Sequence, residues 1–404
     1  MENIGQHITQ YIKGKVPKQL FEEFSENYIP YLSPDYLRGK AKPEFWTPPN
    51  GKTVFVEEGE VIVLWDGSNA GEVFVSKRGI LSSTMVKLEF NDTLIDRKYY
   101  LYSFQFLEYI LKAKTAGSGI PHVDKGIIKN LNFFKPPKHE QSAIASLIYK
   151  VDEAILAAGN SIKAAEKLKK ALMQNLLTGK LKPDGTWRKE DEFKAIEKYG
   201  AVPLHWKFGK LGDIAEIIAG QSPTGDTYNE EGKGMPMLNG PTEFTDYYPT
   251  PIQYTTKPTK ICKVGDILFT VRGSSTGRMN FADQEYCIGR GIAAIRANED
   301  SDIDFLYYTL IRIAHIILAE AKGSGSTFPN VNRGELMKKK IIYPILKNEQ
   351  AEIGKRIRSI ENNIRSKQFK IHSLQRLKKS LMQNLLTGKV RLSGELINQL
   401  QENS

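Results

Sequence analysis

Two segments of this 404-residue chain are almost the same. Residues 168–180 read LKKALMQNLLTGK and residues 377–389 read LKKSLMQNLLTGK, and only Ala171 against Ser380 differs. The offset of 209 residues is far longer than the 20–50 residue units of solenoid proteins, so each copy is the size of a domain. A local duplication of one helix would leave nothing matching upstream, yet the match continues there in register. At an offset of 206, Ile8, Ile12, Gly14 and Pro17 meet Ile214, Ile218, Gly220 and Pro223. In the same way Gly67, Ser68 and Gly71 meet Gly273, Ser274 and Gly277. Two residues of drift bring Val123, Gly126 and Pro136 onto Val331, Gly334 and Pro344, and one more brings Glu140-Gln141 onto Glu349-Gln350. Glycines, prolines and apolar residues agree, while polar residues differ. Turn glycines and core residues specify a fold. The polar positions are then free to specify something else, so the chain is one scaffold presenting two surfaces.

The copies carry the same elements. In the first unit, residues 1–138, short β-like runs cover Thr53–Val56, Val61–Leu64, Val73–Val75 and Met85–Leu88, punctuated by Gly, Asn and Asp. A dense apolar pattern predicts a helix over Lys98–Lys114, stopped by Ala116-Gly117-Ser118-Gly119. The second unit, 202–346, repeats this with strands Ile267–Val271 and Ile292–Arg296 and a helix Phe305–Lys322 stopped at Gly323-Ser324-Gly325. Mixed strands with a flanking helix predict an α+β domain in each copy.

After each unit runs a long amphipathic segment, 139–180 and 347–390. In the second, Ile353, Ile357, Ile360, Ile364, Ile371, Leu374, Leu381 and Leu385 trace a heptad seam that Lys367 and Lys378 interrupt. The first copy has Ile144, Ile148, Val151, Ile155, Ile162, Ala165, Leu172 and Leu176, with Ala158 at the gap. A helix of some 40 residues is about 60 Å long and cannot bury such a seam alone. An antiparallel helical pair is expected, because a whole domain separates the two; each helix lying along its own domain is the alternative. Gly179 and Gly388 suit left-handed positions just past the helix ends. Residues 181–201 read as a polar connector without strand pattern, and 391–404 as a short frayed polar tail.

The formal charge of +11 and pI of about 9.2 favour a polyanionic partner. Cys262 and Cys287 make no disulfide framework and have no zinc spacing around them, so buried free thiols are expected. The first residues, MENIGQHITQYIKGK, hold no signal-peptide core, and no apolar run approaches the ~18 residues of a membrane span. A cytoplasmic protein is expected.

Catalytic patterns are missing. Gly232-Lys233 lacks the remainder of a phosphate-binding loop, Gly273–Gly277 opens no helix, and the six histidines are scattered. Asp184 and Glu192-Phe193-Lys194 mimic a nuclease carboxylate spacing, but metal-holding carboxylates belong on adjacent strands. No catalytic residue, metal or cofactor is expected. Binding chemistry remains. Ser68, Asn69, Lys77 and Arg78 lie on loops of the first unit, and Arg272, Ser274, Ser275, Thr276, Arg278, Asn280 and Arg290 on loops of the second. Tyr28, Tyr31, Tyr36 and Arg38 form an aromatic-basic stretch, answered by Asn239, Tyr247, Tyr248, Tyr254 and Lys257. Arginine pairs bidentately with guanine and Asn or Gln with adenine, while Ser, Thr and Lys mainly hold phosphate.

These residues resemble a known family, the DNA specificity (S) subunit of type I restriction-modification systems. The resemblance spans the whole chain. It is carried by PPKHEQ at Pro136–Gln141, PILKNEQ at Pro344–Gln350, the two LMQNLLTGK endings, and the segments Gly117–Val123 and Gly323–Val331. It implies two target recognition domains and two long helices forming an antiparallel coiled coil with an internal pseudo-two-fold. Each domain would read one half of a bipartite, asymmetric double-stranded DNA sequence. The helices would set the spacer and dock two DNA adenine methyltransferase subunits, which motor-nuclease subunits then join. The nearly identical helix ends, with Leu172, Met173, Asn175, Leu176, Leu381, Met382, Asn384 and Leu385, are the expected docking residues. The subunit itself would be non-catalytic. One departure stands: the second unit opens with Trp206 and Leu211-Gly212-Asp213, whereas the first begins almost directly at Gly5–Ile8, which predicts a shorter opening strand there. A coiled-coil adaptor with two protein-binding domains and no DNA is the competing class.

Overall fold

The structure, a computed structural model, describes residues 1–49, 52–115, 121–197, 200–323 and 329–402. The helix-stop residues Ala116–Gly119 and Ser324-Gly325 read in the sequence lie outside them. The chain forms two compact units, 1–159 with 369–404, and 160–368, so each long helix contributes to both.

In the first unit, Ile8–Lys13, Met85–Phe90, Val61–Leu64 and Val73–Val75 form an antiparallel four-stranded sheet in that order. A second sheet orders Trp46–Thr47, Ile29–Leu32, Gly79–Leu81 and Phe55–Val56, with Tyr31 and Ile80 paired in parallel. The second unit repeats this. One sheet orders Ala215–Ala219, Ile292–Ala297, Ile267–Thr270 and Met279–Phe281. Its other sheet gains a strand and keeps the parallel pair, Met237 with Cys287. The domain helices, Arg97–Lys114 and Ile303–Gly323, begin and end within two residues of their expected bounds. Cys262 and Cys287 are buried and free. The opening strand is indeed shorter in the first unit: Glu2–Asn3 pairs two residues with Asn132–Phe133, against five for Trp206–Lys210 with Lys340–Pro344.

The long helices run over Lys138–Leu176 and Lys347–Leu385. Within each unit their segments pair antiparallel. Lys378 Nζ bonds Asp152 at 2.8 Å in the first, while in the second Lys367 Nζ bonds Ser161 at 2.6 Å and Lys169 pairs with Glu361. The two lysines that interrupt the seam are therefore cross-helix donors. Both arrangements expected for the helices occur together. Ile144, Ala145 and Ile148 enter the core of the first unit and Ile353 and Ile357 that of the second. The opposite helix completes each core: Leu385 and Leu386 in the first unit, Leu176 and Leu177 in the second.

That location covers two of the expected docking residues and half-covers the other six. Leu176 and Leu385 are fully covered, and Leu172, Met173, Leu381 and Met382 pack against the same cores. The amides of Asn175 and Asn384 donate to the carbonyls of Ala171 and Ser380 in their own helices. These residues anchor helix ends into two equivalent cores, which explains why the thirteen positions barely differ. Gly179 and Gly388 follow in the left-handed region, at φ 71° and 73°. A Cβ there would meet Pro203 at 2.3 Å or the Phe134 ring at 2.8 Å, so both conformation and space call for glycine.

Two further corrections concern segments read as irregular. Within 181–201, Phe193–Ile196 pairs antiparallel with Gly200–Pro203, and Lys182 N–H donates to Thr186 O at 2.8 Å in a tight turn. The hairpin strand alternates no apolar face, so periodicity had nothing to find. Asp184 caps that turn through Thr186 and Glu192 pairs with Lys182; no metal-competent cluster exists among the described residues. The tail is not frayed either. Gly394–Glu402 is a helix whose Ile397 and Leu400, three residues apart, pack on Ala143.

Candidate nucleic-acid interface

The helix-opening Glu-Gln pairs are structural. Gln141 accepts from Asp96 N–H at 2.9 Å and donates to Pro136 O at 2.8 Å. Gln350 repeats this with Asp302 N–H at 3.0 Å and Pro344 O at 2.9 Å. Glu140 receives Arg391, and Glu349 receives Arg188 and, at 3.0 Å, the indole N–H of Trp206. Each pair ties a long helix to its domain and to the chain that leaves the other helix.

The expected binding residues divide by what their side chains already do. Arg38 is spent within the protein: it bonds Glu72 through Nε at 2.9 Å and Asp35 through Nη1 at 2.8 Å. The Arg38 hydrogen bond in turn holds the Glu72 carboxyl below its usual range. Lys77 donates to Tyr36 O at 2.8 Å and lies over the Tyr36 ring, so both cations brace the short helix Pro34–Leu37. Arg278 donates to Pro241 O at 3.2 Å and Phe244 O at 2.7 Å. Thr276 is buried and its hydroxyl donates to Gly273 O at 2.8 Å. Ser275 O accepts the Thr270 hydroxyl, and buried Asn280 clamps Thr245 through both N–H and carbonyl. Tyr31 OH accepts from Ser83 N–H at 3.2 Å. The atoms named here already have partners within the protein, a difference that sequence alone could not show.

The others face outward. Ser68, Asn69, Arg78, Lys257, Arg272, Ser274 and Arg290 are exposed, and Arg78 touches Glu57 only at 4.0 Å. Asn239 is half-buried and donates to Gln253 Oε1 at 3.1 Å. Gln253 escaped the sequence reading, since only strand pairing brings it beside Asn239. The outward set consists of hydroxyls, amides and guanidinium groups, the donors and acceptors suited to base edges and phosphates.

A chain with two copies of one α+β unit, long paired helices and outward polar loops fits the family described as the type I restriction modification DNA specificity domain. The model of that family matches residues 6–166 and 203–376, and this chain belongs to it. It is similar to the type I restriction enzyme MjaVIII specificity subunit of Methanocaldococcus jannaschii, 32% identical over 407 residues that cover 96% of this chain and 92% of that protein. It is also similar to the putative MjaX specificity subunit of the same organism, 34% identical over 311 residues covering 75% and 70%. Among solved structures, the type I restriction-modification S subunit from M. genitalium shares the fold with a TM-score of 0.65 over 95% of each chain, at 18% identity. Among the described residues, no helix is long and apolar enough to cross a membrane.

Proposed function

We propose that this chain is the sequence-reading subunit of a type I restriction-modification complex. Each α+β unit reads one half of a bipartite, asymmetric duplex, and the long helices set the unread spacer. The observation that carries this is the repeated scaffold with unlike polar groups at matching strand ends. The relatives named as specificity subunits support it, as does the net charge of +11, which suits a polyanion. The subunit works without catalytic residues; methyl transfer and cleavage belong to its partners, two DNA adenine methyltransferase subunits and motor-nuclease subunits.

The docking surface for the methyltransferase lies on the outward side of the repeated helix ends. Leu168 and Leu377 are about half exposed, at 51% and 47%, and Gln174 and Gln383 are exposed in the same repeats. Identical partners need identical surfaces, and these residues are the same in both copies. Replacing Leu168 and Leu377 by Asp should abolish co-purification with the methyltransferase while leaving the melting temperature unchanged. Full co-purification would move the docking surface elsewhere.

The reading itself is tested by equilibrium binding of the purified chain to duplex pools at two salt concentrations. Selection of a split sequence, with affinity falling steeply with salt, is expected. An adaptor without DNA affinity would select nothing.

A further inference from the structure

The two units can be compared atom by atom at the end of one strand pair. In the second unit, Thr270 pairs with Ile292, and the ladder runs one step further as Val271 N–H donates to Gly291 O at 2.9 Å. Arg272 follows Val271 at this strand end, and Arg290 precedes Gly291 in the turn Gly289–Ile292 that leads into the partner strand. Arg290 is the middle residue of Gly289-Arg290-Gly291. A Cβ on Gly289 would lie 2.3 Å from Asn239 Oδ1, and one on Gly291 would lie 2.3 Å from the Asn239 carbonyl. The turn therefore rests directly on Asn239. Its backbone is tied on both sides: Gly289 N–H to Leu238 O at 2.8 Å, Arg290 N–H to Ser222 Oγ at 3.2 Å, and Ile292 N–H to Gly289 O at 3.0 Å. Both arginines are exposed, and no described residue bonds either guanidinium.

In the first unit the matching positions are Asp66, after Trp65 at the strand end, and Ser83, in the turn Ser82–Met85 that leads into the partner strand. There Leu64 pairs with Met85 and Trp65 N–H donates to Thr84 O at 2.7 Å. The equivalence holds across the sheet edge, where Arg272 bridges Asn330 and Asp66 bridges His122. Asp66 takes Lys13 Nζ at 2.8 Å, and Ser83 N–H is held by Tyr31 OH where Arg290 N–H is held by Ser222. One backbone position thus carries two arginines in one unit and an acid with a serine in the other. A carboxylate repels phosphate but accepts the amino group of cytosine, and a guanidinium donates twice to guanine O6 and N7.

We infer that this strand-end pair is the base-reading position of each unit, and that Arg272 and Arg290 select a guanine in the half-site of the second. The inference rests on the proposed DNA-reading function. A rigid turn with glycines on both sides holds the Arg290 backbone before DNA arrives, so little ordering remains to be done on binding.

The test is selection from a random duplex pool by the full chain and by Arg290→Ala, Arg290→Lys and Asp66→Asn. The wild type should select two half-sites. Arg290→Ala and Arg290→Lys should each lose guanine preference at one base pair of one half-site, by about 10-fold or more. Affinity of Arg290→Lys for unselected duplex should stay within about twofold, since the charge remains. Asp66→Asn should alter the other half-site only. Retained guanine preference in Arg290→Lys, or an equal loss across all sequences, overturns the inference and makes Arg290 a phosphate contact. Failure of the wild type to select any sequence would instead defeat the DNA-reading function itself.

Discussion

Two clasps hold the long helices to their domains, each through a tyrosine, a lysine and a carboxylate. In the first unit Tyr102 OH donates to Asp152 at 2.9 Å and Lys378 pairs with the same carboxylate at 2.7 Å. In the second, Tyr308 OH donates to Glu361 at 2.7 Å, and Lys169 pairs with it. Burial alone would raise the Glu361 carboxyl; hydrogen bonds from Lys169 and Tyr308 outweigh it and the net shift is downward. A carboxyl depressed in the folded state stabilises above its ordinary value near 4.5, and that contribution is lost as pH falls through the folded value. Glu361→Gln should therefore cost about 1.5–3 kcal/mol at neutral pH. Thermal melts of both proteins should converge on acidification below pH ~4.5; a deficit independent of pH would point to shape and not charge. Burial pushes the Cys262 thiol up to about 12, so alkylation at pH ~8 should label it only after unfolding. At this scale the sequence was least legible. Lys367 and Lys378 looked like breaks in an apolar seam because periodicity scores a residue by its own character. Their partners, Ser161 and Asp152, are more than 200 positions away.

Strong period and close repetition made the helices readable to within a few residues, and three strands of the first sheet likewise, Val61–Leu64, Val73–Val75 and Met85–Phe90. Two of the elements that were missed, the hairpin at Phe193–Ile196 and the helix Gly394–Glu402, are short and polar on most faces. Their order comes from contacts that local pattern does not encode, Ile397 and Leu400 on Ala143 above all. Ile397→Ala should destabilise the first unit by about 2–4 kcal/mol and lower amide protection along the start of the first long helix. Leu176→Ala should do the same to the second unit by a similar amount. Hydrogen exchange checks both, and an effect of Leu176→Ala confined to the first unit would contradict its place in the core.

For the chain as a whole, duplication separated what the fold needs from what the surface does, and so the class was legible before any coordinate. Which loop cations are exposed was not, because a bracing arginine such as Arg38 and an exposed one such as Arg290 look alike in a loop. Exchanging the first recognition unit for that of another family member should change one half-site only, as mapped by methylated positions. Inserting seven residues in each long helix, near Asn160 and Gln368, keeps the heptad phase and should lengthen the unread spacer. An unchanged site would separate spacing from helix length.

The core that Ile4 and Val61 open is closed by Leu385 and Leu386. On the ribosome, therefore, the first unit waits for its last wall while residues 160–368 are made. At ~5–20 residues per second that delay is roughly 10–40 s. During it the apolar face that will receive the second helix end is uncovered. Slow synthesis, or a premature stop before residue 377, should leave the nascent chain dependent on chaperones. The second unit, whose segments all lie between its own ends, can close first.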